Sequence, residues 1–188
     1  MRKLIMWNVI TLDGYFEGEK SWDLSFHGIA WCDELAQFIG EQLKTAEMLV
    51  FGKTTYEGMA AYWQSEQGEE ETAKSMNSIR KLVCSHSLEK AEWNNTAIVR
   101  DAAAEIPEWK KQGEGNLFVF GSGNLSETLM KENLFDEYRL LVAPVFLGKG
   151  KLLFPQGIPN EKLTLLEDRP LSSGGIILRY APAMGAKA

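Results

Sequence analysis

Apolar and polar positions change period several times along the chain. Residues 3–12 are a mostly apolar run closed by the turn pair Asp13-Gly14, which predicts a first strand. Residues 15–29 are rich in glycine, serine and aromatics and read as a loop. Across 30–46, Trp31, Leu35, Phe38, Ile39 and Leu43 recur at helical spacing, predicting an amphipathic helix. Short apolar stretches at 47–51, 80–84, 97–100 and 117–120 predict strands. Residues 101–111, with Asp101 as N-cap and Pro107 limiting regularity, predict a helix, as do residues from about 125 to 131. Residues 138–146 are β-rich, and Pro144 marks an edge strand or a break. A loop at 147–151 precedes two last strands, 163–167 and 176–180, joined as a hairpin around 172–175.

Strands alternating with helices, then a strand-only ending, predict an α/β fold whose central sheet is mostly parallel and carries a late antiparallel hairpin. No internal repeat or linker divides the chain. Its 188 residues give one domain, 1–181, with 182–188 as a frayed tail.

Two glycine-punctuated junctions stand out, LVFGKTTYEGM at 49–59 and LFVFGSGNLSETLM at 117–130. Each runs from an apolar strand through glycine into helix-start chemistry, which gathers backbone N–H groups into the outline of a phosphate cradle. A third strand, ending in the polar residues Cys84-Ser85-His86, lies between them in sequence. Such a set suits an extended ligand with more than one phosphate, a dinucleotide. Each element also has a plainer reading: Gly121-Ser122-Gly123 as a tight turn, Lys53 as a surface lysine, His86 as a strand-end cap. Lys53 is awkward at a helix start unless an anion sits there.

The formal charge of −6 argues against a general nucleic-acid binder. With 45 % hydrophobic and 24 % charged residues and no apolar run approaching the roughly 20 residues of a membrane span, the composition is that of a soluble, cytoplasmic protein. The basic-then-apolar start is interrupted at Asn8 and lacks a signal-peptide cleavage site. Cys32 and Cys84 fit no metal-ligand spacing and read as buried thiols. With only His27 and His86, a histidine-rich metal site is excluded, which points to an organic cofactor. The acidic run 64–71 reads as a solvated loop.

The order of motifs resembles the dihydrofolate reductase-like superfamily, and within it the reductase domain of riboflavin biosynthesis and its stand-alone bacterial relatives. The resemblance rests on Thr11-Leu12-Asp13-Gly14-Tyr15-Phe16, Phe51-Gly52-Lys53-Thr54-Thr55-Tyr56-Glu57, Cys84-Ser85-His86-Ser87, Gly121-Ser122-Gly123-Asn124-Leu125, and Leu134-Phe135-Asp136-Glu137-Tyr138 leading into residues 143–150. It implies a sheet of about eight strands, NADPH as hydride donor, and a homodimer. By the same resemblance, Gly52, Lys53, Thr54 and Thr55 meet the adenosine phosphates, Ser85 and His86 lie near the 2′-phosphate, and Gly121, Ser122 and Gly123 lie against the pyrophosphate. Asn124 stands where dihydrofolate reductases often carry arginine, so one phosphate contact is lost.

For the substrate side, the resemblance offers two carboxylates. Asp33 matches by position the pocket carboxylate early in the first helix, where burial would raise its pKa; an Asp in a first helical turn also suits the dipole without any catalytic role. Asp13 matches the Asp-Gly pair near the nicotinamide, and Asp-Gly is equally a common turn. Trp7, Trp22, Tyr56 and Trp63 are candidates for a planar-substrate pocket or for core; Glu57 reads as an exposed helix residue. The expected activity is NADPH-dependent reduction of a small pterin or pyrimidine-type heterocycle. The alternatives are a 5-amino-6-(5-phosphoribosylamino)uracil reductase and, in another class, a nucleotide-binding protein without catalysis. The apolar stretch 136–147 with Leu152-Leu153-Phe154 is the expected dimer surface.

Overall fold

The computed structural model describes residues 2–65 and 70–183. Its centre is β1 (Leu4–Thr11), which pairs in parallel with β6 (Asn116–Phe120) on one side and β7 (Glu137–Ala143) on the other. Beyond β6 lie β3 (Ala46–Gly52), β4 (Arg80–Cys84) and β5 (Thr96–Val99), all parallel. Beyond β7 the antiparallel strands β10 (Ile176–Pro182) and β9 (Leu163–Pro170) complete an eight-stranded sheet in the order β5-β4-β3-β6-β1-β7-β10-β9. The mostly parallel sheet with a late antiparallel pair agrees with the strand and helix periodicities.

Both faces of the parallel part are covered, so its strands are apolar at successive positions rather than alternating. Ile5, Phe51 and Phe118 pack on one face with side chains of α1 (Asp33–Thr45), α2 (Lys53–Trp63) and α3 (Glu70–Ser78), including Leu35, Phe38, Tyr56 and Met76. Leu4, Met6, Val50 and Val119 pack on the other with Ile106 of α4 (Ala102–Lys110) and Leu125, Leu129 and Met130 of α5 (Gly123–Lys131).

Several local expectations shift. The first helix starts at Asp33 rather than at residue 30, because Cys32 is extended (φ −162°, ψ 170°) and acts as N-cap, leaving Trp31 outside the helix and exposed. The loop at 15–29 contains β2 (Tyr15–Glu17), which pairs antiparallel with β8 (Lys151–Leu152) in a two-stranded ribbon; its partner lies far away in sequence. In the acidic run, Glu70 and Glu71 form the first turn of α3, where their charge suits the helix dipole, while 66–69 lie outside the described residues. Asp101 caps α4 by accepting from Ala104 N–H at 3.1 Å, as expected. Pro144 follows the last residue of β7, so it ends an interior strand. Pro182, expected in the tail, belongs to β10, and the Ala183 N–H still donates to Lys162 C=O at 2.9 Å; 184–188 lie outside the described residues.

The surface expected to pair two copies is mostly core. β7 lies between β1 and β10, and Leu141, Ala143 and Leu153 are fully buried. Within that surface Phe146 and Leu152 are exposed; exposed apolar side chains outside it include Leu163, Leu165 and Leu166 on the edge strand β9. A bulge opposite Arg179 and Tyr180 breaks the regular pairing at this part of β9.

Candidate active site

β1 outruns β6. The last register pair is Trp7 with Phe120, so Asn8 to Thr11 have no partner on that side, and a cleft opens where β6 turns into α5. From this point a cavity of about 1150 Å³ follows the C-terminal ends of the parallel strands toward β5 and extends under α1. This is where ligands bind in open parallel sheets.

Four separate stretches line the end toward β5. They are Gly52 to Thr55 at the start of α2, Ser85 and His86 after β4, Arg100 to Ala103 between β5 and α4, and Gly121 to Asn124 at the start of α5. All ten residues expected to hold a cofactor, Gly52, Lys53, Thr54, Thr55, Ser85, His86, Gly121, Ser122, Gly123 and Asn124, therefore line one cavity. The helix starts differ in charge. α1 and α3 carry two acidic residues in their first turns and α4 has Glu105 after its Asp101 cap, whereas α2 and α5 have neither an acid in the first turn nor a side-chain cap. Of the three helices that start on the cavity, α4 has its start closed by Asp101, whereas α2 and α5 keep their partial positive ends for an outside anion.

The side chains divide into those that build this cradle and those left to face a ligand. Ser122 Oγ accepts the Gly52 N–H at 2.8 Å, and Ser122 N–H donates to Thr55 Oγ1 at 3.1 Å, so Ser122 and Thr55 fasten the two junctions together. Gly121 N–H donates to Asn8 Oδ1 at 2.9 Å, tying the turn to β1. Gly121 (φ +57°) and Ser122 (φ +58°) are consecutive left-handed residues, and the first is glycine because a Cβ would also crowd Thr55. Ser85 Oγ accepts from Ser87 and Leu88 N–H, leaving its proton for a ligand, and Arg100 Nη1 donates to Ser85 C=O at 2.7 Å. Lys53 is half exposed, with Glu57 at 4.0 Å. Cys84 also lines the cavity; burial, aided by the Glu105 charge, pushes its thiol up to about 12, so it stays protonated.

The end under α1 is aromatic. Trp7, Trp22, Trp31, Trp63 and Phe120 line it together with Leu35, Ile39 and Met59 of α1 and α2, whereas Phe16 lies against Gly123 at the start of α5. Tyr56 does not; it is core, its hydroxyl accepting the Trp93 N–H at 2.8 Å. Trp22 reaches the cavity from the segment between β2 and the 3-10 turn Ser25–Ile29, with a left-handed backbone (φ +67°) and its N–H held by the Glu17 carboxylate. Its ring lies against Gly58 of α2, where a Cβ would come within 2.7 Å of it, which explains the second glycine of the first junction. Glu17 also pairs with Lys151 across the β2–β8 ribbon. Two buried polar atoms on the cavity wall have no hydrogen-bond partner, Asn8 Nδ2 and His27 Nε2. Burial lowers the His27 pKa to about 4, so the ring is neutral at neutral pH.

Neither carboxylate expected on the substrate side lines the cavity. Asp33 is exposed in the first turn of α1; the buried positions of that helix begin at Leu35, so the burial expected of Asp33 is absent. The Asp13 carboxylate is half-buried and occupied. It accepts from Thr11 Oγ1 at 2.6 Å, Gly148 N–H at 2.8 Å and Leu147 N–H at 3.1 Å. Desolvation raises its pKa, and these hydrogen bonds outweigh that and bring it below the usual carboxylate value. Asp13 thus pins the end of β1 to the 147–148 loop. Sequence reading passed over Asn8, His27 and Arg100; the polar Asn8 inside an otherwise apolar strand was the available signal. Among the described residues no three His, Cys, Asp or Glu side chains group as a metal site, and no helix is long and apolar enough to cross a membrane.

Residues 2–177 match the RibD C-terminal domain family. The uncharacterized protein YyaP of Bacillus subtilis (strain 168) is 26 % identical over 185 residues, covering 95 % of this chain and 94 % of its own length. Among solved structures, a putative riboflavin biosynthesis protein from Shewanella sp. PV-4 superposes with a TM-score of 0.77 at 18 % identity, covering 96 % of this chain and 98 % of that one. A dihydrofolate reductase from Enterococcus faecalis, complexed with NADP(H) and RAB-propyl, superposes with a TM-score of 0.65 at 14 % identity, covering 96 % of each chain. The fold is therefore dihydrofolate reductase-like.

Proposed function

This chain belongs to the RibD C-terminal domain family, and on that premise we propose that it is an NADPH-dependent reductase of a small planar heterocycle. One observation carries the reading: four sequence-distant stretches meet at one cavity, and two of the three helices that start there, α2 and α5, begin without an acid or a cap. That arrangement fits a dinucleotide's phosphates. The solved relative from Enterococcus faecalis, complexed with NADP(H), lends support through its shared fold.

The first turns of α2 and α5 hold the pyrophosphate and neighbouring phosphate oxygens. Ser85, His86 and Arg100 form the polar corner at β4 and β5 that receives the adenosine end with its 2′-phosphate; Arg100 replaces the charge missing at Asn124. When bound there, the reduced nicotinamide supplies a hydride. Asn8, at the boundary of the two ends, orients what lies beside it through its unpaired Nδ2. Trp7, Trp22 and Trp63 exclude water from the reacting ring and strengthen polar contacts within the site. With Asp33 exposed and Asp13 occupied, no carboxylate of the aromatic end is free to act as the acid. The proton at the heteroatom is delivered by solvent, because His27 is neutral and is not an acid at neutral pH. The chain works as a homodimer, a reading supported by the exposed leucines of edge strand β9.

Calorimetric titration tests the cofactor reading. NADPH binds at one site per chain and more tightly than NADH; no heat with either nucleotide rejects it.

A further inference from the structure

The charges lining the cavity are divided unevenly. Its cationic side chains toward β5, Lys53 and Arg100, belong to the nucleotide end. Among the described residues the aromatic end has one cation, Lys151, and one carboxylate, Glu17, and they neutralise each other. The second Glu17 oxygen is taken by the Trp22 N–H. Nothing there is left to balance a charge brought in by a ligand.

The polar atoms that are left are neutral. Asn8 is 5 % exposed; its Oδ1 is fixed by Gly121 N–H, and this leaves Nδ2, a donor, buried without a partner. His27 Nε2 is likewise buried and unpartnered, its ring held edge-on to Phe26 at 4.9 Å. Buried polar groups are nearly always satisfied in a working protein, so these two atoms await a ligand's polar edge.

We propose that the aromatic end takes an uncharged planar ring without a phosphate, presenting a carbonyl or ring-nitrogen acceptor to Asn8 Nδ2 and a second polar atom to His27 Nε2. This assignment rests on the reductase reading and narrows its substrate. A phosphoribosyl group brought into this end would lose its hydration with no counter-charge in return. An amino-pyrimidine edge, rich in donors, would face the donor Nδ2 and no free carboxylate. The ring is therefore of the dione type, and the chain is not built for a phosphoribosylaminouracil.

The test uses the full chain, with and without NADPH in excess, and two matched pairs of probes, with dissociation constants from tryptophan quenching or calorimetry. In the first pair, 5-amino-6-ribosylaminouracil binds at least about tenfold more tightly than its 5′-phosphate. In the second, lumazine, a pteridine dione, binds more tightly than 2,4-diaminopteridine. Asn8→Asp keeps an oxygen for the Gly121 N–H and removes the donor, so it reverses the order of the second pair. If that variant does not fold, the wild-type comparisons still decide. Equal or tighter binding of the phosphate ester, a preference for the diaminopteridine, or no binding of either uncharged dione-type probe overturns the proposal. The parallel NADPH titration separates the two failures: lost NADPH binding with ring selectivity intact rejects the reductase reading, and NADPH binding with the wrong selectivity rejects only this assignment.

Discussion

The Gly52 N–H donates to Ser122 Oγ at 2.8 Å, joining two junctions that lie 70 residues apart. Through it, the ends of β3 and β6 are set at a fixed distance, and the starts of α2 and α5 open on the same cavity. Removing the oxygen leaves a partly buried N–H without a partner, which costs about 1–3 kcal/mol. Ser122→Ala lowers stability by that amount and weakens NADPH and NADH alike, roughly tenfold, by loosening the cradle. Calorimetry on the folded variant checks this; unchanged affinities would show that the bond does not shape the site.

Lys53 and Arg100 have a different signature. Each is an exposed cation lining the cavity, and on the proposed reading each would stabilise a phosphate of the cofactor. Lys53→Ala and Arg100→Ala should each weaken NADPH about 3- to 10-fold and NADH less, with the difference shrinking as salt rises. Equal loss for both cofactors would remove the 2′-phosphate from this corner.

The two aspartates separate structure from chemistry. Asp13→Asn exchanges a carboxylate that accepts from Thr11, Leu147 and Gly148 for a group that accepts less well, and should cost about 1–3 kcal/mol of stability. Asp33→Asn, on an exposed helix start, should cost about 1 kcal/mol or less and leave turnover nearly intact. Denaturant unfolding and single-turnover rates of both variants measure this. A loss of turnover on the order of 100-fold in Asp33→Asn would restore it as a catalytic acid.

Stability should fall with acid in two windows. His27 has a pKa of about 4 in the folded chain against an ordinary 6.5, so between these values the unfolded chain binds more protons and stability drops as pH falls. Glu137 is fully buried, and burial alone would raise its pKa. Arg139 at 2.7 Å and Arg179 at 2.8 Å outweigh this and bring it to about 2 against an ordinary 4.5, so its contribution is present above 4.5 and is lost toward 2. Melting curves over this range should show His27→Gln flattening the upper window and Glu137→Gln the lower. A slope unchanged by either variant would contradict the assignment.

Sequence alone carried the sheet and the meeting of the glycine junctions at one cavity further than the aromatic end, for a physical reason. Each junction is contiguous: strand, glycine and helix start follow one another, so a local pattern predicts where N–H groups converge. The roles of Thr55 and Ser122 as fasteners, in contrast, exist only once β3 and β6 lie side by side. The β2–β8 ribbon and the Asp13 clamp likewise join the two ends of the chain, and no local period marks them. Asp33 misled because sequence gave its position early in a helix without the phase of that helix, whose buried stripe starts at Leu35. The dimer surface misled for a related reason, since an apolar strand reads the same whether it lies inside a sheet or at its edge.

The central claim is that one cavity holds a reduced nicotinamide cofactor beside an aromatic chamber. Trp7, Trp22, Trp31 and Trp63 line that chamber, so they report directly on the cofactor's position. Exciting tryptophan while titrating NADPH should quench protein emission and give sensitised nicotinamide emission that saturates at one nucleotide per chain. Trp22→Phe should reduce the transfer without abolishing binding. Saturable NADPH binding without energy transfer, or no binding at all, would contradict the account.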